Sequence, residues 1–341
     1  GKGANIAEVR EKLGVDYVLE GSVRKSSGRV RINAQLINTK TGDHLWAKRF
    51  DRKMEDIFAL QDEVTRDIVA ALTIKLTSKE TEALKSSRSI DPTAYDLFLR
   101  GLQSFQRFTP ERNREARDYF RQALEIEPEF ARALGDMALS YGIDLLFSWS
   151  KDRERDAAEA RRYGSRALEA DATVREVHFA LSTVEMAQKQ VAKSIDWADR
   201  AIIIDSNYAD AYAQRAQALA FLGEPEQSYA ALAQAMKLNP LFPSYYTWIE
   251  SLLNFVRGDY EAAIRLSQET ATKNPEFTGA RLIMAASYGL MDNKEDGSWQ
   301  VEELLTVLPD QTLKGAVEQF PFVKQKHTER FIRGLRASGL N

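Results

Sequence analysis

The spacing of apolar positions changes twice along the first part of the chain. Over residues 5–13, Ile6, Val9 and Leu13 form one helical stripe; Asn5 can cap it, Glu8 completes a capping box and Gly14 ends it. A period of two follows. Tyr17, Leu19 and Val23 share one face of an extended segment, and Val30, Ile32, Ala34 and Leu36 alternate with Arg29, Arg31, Asn33 and Gln35. Ser26, Ser27 and Gly28 predict a hairpin turn. Thr41, Gly42 and Asp43 predict a second, leading into a strand with Leu45, Trp46, Ala47 and Phe50. Helical spacing then returns with Ile57, Leu60, Val64, Ile68, Leu72 and Leu76. The expectation is a small α+β domain over residues 1–78: helix, three-stranded meander, helix. Such a sheet has one edge without a partner, and exposed edges are usually covered or paired. Upstream strands outside this chain would cover it; pairing with a second copy, as a homodimer, is the other solution.

A polar stretch over 79–91, ending at Asp91-Pro92, predicts a linker. Beyond it the pattern repeats. Ala167, Ala201 and Ala235 lie 34 residues apart, each late in a short apolar helical segment. A 34-residue period of paired helices is that of tetratricopeptide (TPR) repeats. Successive pairs carry Ala116, Phe120 and Ala123; Leu134, Ala138 and Ala160; Phe179, Ala198 and Ala201; Ala216, Leu219 and Ala235; Tyr260, Ala262 and Ala263; Ala285 and Leu304. Small residues let helices approach, larger apolar ones fill the gaps, and Pro128, Pro240, Pro275 and Pro309 redirect the chain. One pair cannot bury its apolar face, so pairs must stack. After Pro309 the repetition stops, and Phe320-Pro321-Phe322 with a helix carrying Phe331, Ile332 and Leu335 predicts a terminal cap. The fold class expected over 92–341 is therefore mainly α: a TPR-like α-solenoid of antiparallel helix pairs, about six repeats plus a capping helix, preceded by the small truncated α+β domain.

Composition narrows function more than it specifies it. Net charge is −3, so no bulk attraction to nucleic acid or anionic membrane is expected. There is no cysteine, hence no disulfide, thiolate metal site or thiol nucleophile. The histidines, His44, His178 and His327, fall in unrelated elements and give no metal-ligand spacing. Gly1-Lys2-Gly3 lacks the spacing of a phosphate loop, and Arg24, Arg29 and Arg31 read as a solvated sheet face rather than a nucleic-acid patch. Glu154, Asp156 and Glu159 among Arg153, Arg155, Arg161 and Arg162 read as an ion-paired helix face. No catalytic, cofactor-binding or metal-binding residues are assigned. No stretch reaches the roughly 18 apolar residues of a membrane span. Gly1 is not an initiator methionine and no signal peptide follows it, so the chain is expected to be a fragment with its natural start upstream. A cytoplasmic location follows unless a targeting or membrane segment is missing.

Function should then lie in binding. The inner face of the stack is expected to come from the first helix of each pair, with Phe179, Thr183 and Met186, then Ala213, Gln217 and Phe221, then Thr247 and Phe255. It lacks the Lys and Asn cluster that grips a peptide carboxylate; an extended peptide or a helix of the same polypeptide suits it better. The apolar insertion with Phe147 and Trp149 is a second candidate contact, against the alternative that it folds back on its own repeat. An enzyme or small-ligand receptor using the groove would need converging polar groups, which the sequence does not place.

Several segments resemble a known family. Val15-Asp16-Tyr17-Val18-Leu19-Glu20-Gly21-Ser22-Val23-Arg24, Val30-Arg31-Ile32-Asn33-Ala34-Gln35-Leu36-Ile37, Thr41-Gly42-Asp43-His44-Leu45-Trp46-Ala47 and Asp56-Ile57-Phe58-Ala59-Leu60-Gln61-Asp62-Glu63 resemble the TolB-like domain of bacterial multidomain regulators. Ala94-Tyr95-Asp96-Leu97-Phe98-Leu99-Arg100-Gly101, Phe320-Pro321-Phe322 and Gly334-Leu335-Arg336-Ala337-Ser338-Gly339-Leu340 resemble their TPR half. In that family the region commonly follows a class III adenylate/guanylate cyclase domain, and in other members a winged-helix DNA-binding domain or a kinase. The resemblance implies a regulatory or scaffolding module for protein partners, one of which could be another domain of the same polypeptide. It transfers no catalytic residue, because no cyclase residues are present. The alternatives are an assembly module of a winged-helix regulator and a free-standing TPR adaptor.

Overall fold

The structure, a computed structural model, describes residues 6–53, 57–72, 90–147 and 149–341. It divides into two compact units, Gly1–Asp96 and Leu97–Asn341. The expected cap Asn5, the segment 54–56, Leu76 and most of the expected linker lie outside the described residues.

In the first unit, helix α1 (Ile6–Leu13) precedes strands β1 (Tyr17–Ser26), β2 (Arg29–Asn38) and β3 (His44–Lys53), and helix α2 (Ile57–Ala71) follows. The sheet is an antiparallel meander in the order β1-β2-β3. Its register pairs Leu19 with Leu36, Val23 with Ile32, and Ile32 with Phe50, so these apolar residues share one face. Helix α2 closes part of that face: Leu60 packs with buried Val30 and Phe50, with Ile32, Trp46 and Val64 at the margin. Tyr17, Leu19 and Val23 on β1 stay exposed. Arg29 and Arg31 both grip Asp51 across the sheet, which neutralises part of the hairpin's positive charge and holds the Asp51 carboxyl down at about 2.

The second unit is a stack of antiparallel helix pairs: α3 (Pro92–Phe105) with α4 (Pro110–Ile126), α5 (Ala131–Leu146) with α6 (Arg153–Ala170), α7 (Arg175–Ala187) with α8 (Val191–Ile204), α9 (Ala209–Leu222) with α10 (Pro225–Leu238), α11 (Ser244–Arg257) with α12 (Tyr260–Lys273), and α13 (Thr278–Leu290) with α14 (Lys294–Val307). The short α15 (Leu313–Gln319) and α16 (Gln325–Ala337) complete it. This is the TPR-like α-solenoid expected from the repeat. The alanines that mark its period, Ala167, Ala201 and Ala235, are fully buried.

The turn inside most pairs needs a left-handed residue. Gly223 and Gly258 supply it without strain at φ 82° and 93°, whereas Phe108, Lys189 and Asp292 adopt it with a side chain. A buried serine ties the two helices of three pairs at the same depth. Ser182 Oγ donates to the Ser194 carbonyl, Ser228 Oγ to that of Ala216, and Ser251 Oγ to that of Ala263, each at 2.7 Å and 12 residues apart. A hydroxyl small enough for the crossing thus also satisfies its own hydrogen bond.

Candidate interaction surface

The residues expected to form an open inner face are almost all enclosed. Met186, Ala213, Phe221 and Phe255 have no exposed surface, and Thr183, Gln217 and Thr247 are buried. Phe179 is half-buried, its ring edge-on to Tyr208 at 5.8 Å. Within the chain these positions are enclosed by its own side chains. Two later or inserted parts of the chain cover the face around Phe221, Trp248 and Phe255.

The first is the segment after α15. Phe320 meets Phe221 and Trp248, and Phe322 meets Phe221 and Phe255, with ring centroids 5.4–6.2 Å apart. Phe331 of α16 packs on Phe255 and stacks on Phe320. Polar ties accompany the rings. Val323 N–H donates to the Phe221 carbonyl, Lys324 Nζ to the Gly223 carbonyl at 2.7 Å, Arg330 to the Val256 carbonyl at 3.1 Å, and Ser338 Oγ to the Ala285 carbonyl at 2.7 Å. The segment therefore crosses the carboxy-terminal parts of α9, α11 and α13 in order. At α13 the approach is backbone to backbone: a methyl group at Gly334 would overlap the Ala286 carbonyl, and one at Gly289 would overlap that of Gly334.

The second is the aromatic insertion. Phe147 and Trp149 are half-buried and pack with Phe108, and both Phe108 and Phe147 reach Phe277, which opens α13. Phe277 in turn meets Trp248. The insertion neither stands free nor folds only on its own repeat. The curvature of the stack brings the second pair to the sixth, and the rings close the gap.

Buried polar groups do not converge on a reaction centre. His178 lies against Trp197 with Nε2 2.7 Å from the Ala172 carbonyl, and His44 is exposed on β3. Among the described residues no group of histidines and carboxylates could hold a metal. Between α4 and α5, Arg117 pairs with Asp144 at 2.7 Å, while Asn113 donates to Asp144 and to the Ser140 carbonyl. Asp136 on α5 is buried; burial pushes its carboxyl up to about 7, more than Arg132 offsets. His327 on α16 is held down at about 4 by burial, with Lys326, Arg330 and Lys324 adding repulsion. A polar cleft of about 430 Å³ lies between α3 and α4, lined by Arg100, Arg107, Arg112, Glu115 and Tyr119 among others. Its carboxylate already accepts from Arg112 and Ser104. Sequence spacing had not marked it.

Comparison with known proteins adds the following. No family model matches the chain. A protein of Rhizobium meliloti (strain 1021) named "Putative adenylate cyclase 3" is 42% identical over 182 residues, 53% of this chain. The chain spans only 31% of that relative's length. Among solved structures, the APC/C hetero-tetramer Cut9-Hcn1 matches with TM-score 0.50 and 12% identity, over 67% of this chain and 45% of that one. A thermophilic TPR protein of Thermus thermophilus matches with TM-score 0.45 and 18% identity, over 57% of this chain and 98% of its own. At such identities the likeness is one of fold. Among the described residues no helix is long and apolar enough to cross a membrane.

Proposed function

We propose that this chain is a non-catalytic interaction and regulatory region of a longer bacterial polypeptide whose upstream domain is a class III nucleotide cyclase. The observation that carries the reading is the 42% identity to a far longer protein bearing a cyclase name. It is supported by an architecture of stacked helix pairs, which presents surface rather than a reaction centre. On this reading the first unit is a truncated TolB-like domain, and its half-covered sheet, with Tyr17, Leu19 and Val23 exposed on β1, is where upstream strands or a second copy complete the fold. Class III cyclases resemble one another in forming active sites between two catalytic domains, so a module that sets dimer geometry would set activity. The setting is the bacterial cytoplasm.

The test is to read the frame upstream of Gly1, establish by intact mass that it is translated as one chain, and assay cyclic-nucleotide formation with and without residues 92–341. A cyclase domain whose rate changes on deletion supports the proposal. A winged-helix domain upstream would move the function to transcription, and no upstream catalytic domain would leave an adaptor. A strictly monomeric intact protein in light scattering over a wide concentration range would sink the dimer mechanism.

A further inference from the structure

The segment from Phe320 to Leu340 combines features of a packed core with those of a bound ligand. Its rings fill positions on α9 and α11 that the repeat pattern assigns to partner contact, Phe221 and Phe255. Its polar side chains reach backbone carbonyls, Lys324 pairing with the Glu224 carboxylate as well. Lys324, Arg330 and Ser338 each reach a carbonyl on a different first helix, at Gly223, Val256 and Ala285. The intervals between them, six and eight residues, correspond to about 9 and 12 Å of helix. That is close to the ~10 Å between packed helices, so one straight element can meet three successive first helices. Gly223 and Val256 lie at the carboxy-terminal ends of α9 and α11, where carbonyls lack an intrahelical partner and the helix presents its negative pole, whereas Ala285 lies within α13. The segment carries the complementary charge: Lys324, Lys326, Arg330, Arg333 and Arg336 against Glu329 alone.

The fit is incomplete in polar terms. Nδ1 of His327 is buried without a hydrogen-bond partner. The unpaired nitrogen of His327 lies on the segment itself and weakens its hold, as in a part that opens before the rest of the unit.

We propose that the face formed by α9, α11 and α13 is the chain's recognition surface, and that residues 320–340 are a resident strap occupying it. The partner it fits has the strap's own chemistry: a cationic amphipathic helix led by two aromatic residues two positions apart. The rings enter between Phe221, Trp248 and Phe255, and two cations meet the carbonyls at the ends of α9 and α11. Binding requires the strap to lift, so the affinity observed is reduced by the fraction of molecules with the strap open. This goes beyond the cyclase reading and stands whether or not a cyclase precedes the chain.

The experiment uses the full chain and a fluorescent synthetic peptide of residues 318–341. Hydrogen exchange on the unmodified protein is expected to show amides of 323–338 exchanging at least tenfold faster than those of α9 and α11, through an opening smaller than global unfolding. Peptide anisotropy is expected to give weak binding to the unmodified protein and at least tenfold tighter binding to the Lys324→Gln/Arg330→Gln double variant, which loses two strap ties and no core ring. A peptide with both leading phenylalanines replaced by alanine should not bind. Strap amides that exchange only with global unfolding would overturn the proposal. So would a folded double variant, with its circular dichroism unchanged, that binds the peptide no better than the parent.

Discussion

The ammonium of Lys324 donates to the backbone carbonyl of Gly223, 2.7 Å away and 101 residues earlier, and pairs with Glu224 at 2.9 Å. Gly223 closes α9 at φ 82°, so the left-handed turn that ends the helix also presents the carbonyl that the strap takes up. The same conformation at Gly258, φ 93°, has no atom of Arg330 closer than 3.8 Å to where a methyl would sit, whereas at Gly223 the Lys324 stem is in the way. Gly258→Ala should cost about 1 kcal/mol, the left-handed strain alone. Gly223→Ala should cost more and shift Lys324. Urea unfolding of both variants checks this, and equal costs would mean that Lys324 yields freely.

Close backbone contact between α13 and α16 makes Gly334 more sensitive than either. Alanine there collides with the Ala286 carbonyl, which belongs to a helix and cannot retreat alone. Gly334→Ala should destabilise by at least about 2 kcal/mol, in the range of overpacking. It should raise exchange at Phe331 and Leu335 more than at α5. Denaturant midpoints and residue-level exchange read the two effects.

Two buried titratable groups give opposite pH dependences. His327 has its pKa lowered to about 4, so it resists the proton that the unfolded chain accepts below about 6.5; its contribution is intact above 6.5 and lost as pH falls toward 4. Asp136 is raised to about 7, so its penalty is absent below the ordinary carboxylate range and complete above 7. The limits are about 3 kcal/mol for the histidine and about 4 for the aspartate, at 1.36 kcal/mol per unit. His327→Gln should flatten the loss between pH 6.5 and 4. Asp136→Asn should be more stable than the parent at pH 8, with the difference shrinking on acidification. Thermal midpoints across pH 4–8 test both, and unchanged slopes would refute the assignments.

The Arg117–Asp144 pair, with side chains 10% and 5% exposed, is the buried charge pair most open to dissection. Asp144→Ala leaves the buried guanidinium without its counter-charge, with only Ser140 left to accept from it and from Asn113, and should cost about 3–5 kcal/mol. Replacing both partners, as Arg117→Met with Asp144→Leu, should recover most of that loss. A double variant no better than the single would mean that Asn113 and Ser140 hold the network together on their own.

The helix pairs were legible because a 34-residue recurrence of alanine needs only local spacing, and the meander because Arg29–Leu36 alternates strictly. The inner surface was not. Whether Phe221 and Phe255 face a partner depends on Phe320, Phe322 and Phe331, which lie about two or three repeats further along and share no periodicity with them. Phe147 and Trp149 were recognisable as an apolar insertion, but the contact of Phe147 with Phe277 depends on the superhelical curvature, which accumulates from small rotations that no single pair encodes. The serine ties left a trace in the sequence, a hydroxyl residue at a crossing otherwise taken by alanine, although small size alone explains that choice equally well.

The strap also sets an order of events during synthesis. A stacked repeat can settle as each pair leaves the ribosome, because each needs only its neighbour. The fourth, fifth and sixth pairs of this chain need residues made up to about a hundred positions later, with Lys324 the farthest from its carbonyl. Until those residues emerge, Phe221, Trp248 and Phe255 remain uncovered on a nascent chain. That interval is when a chaperone, or another domain of the same polypeptide, has unhindered access to them.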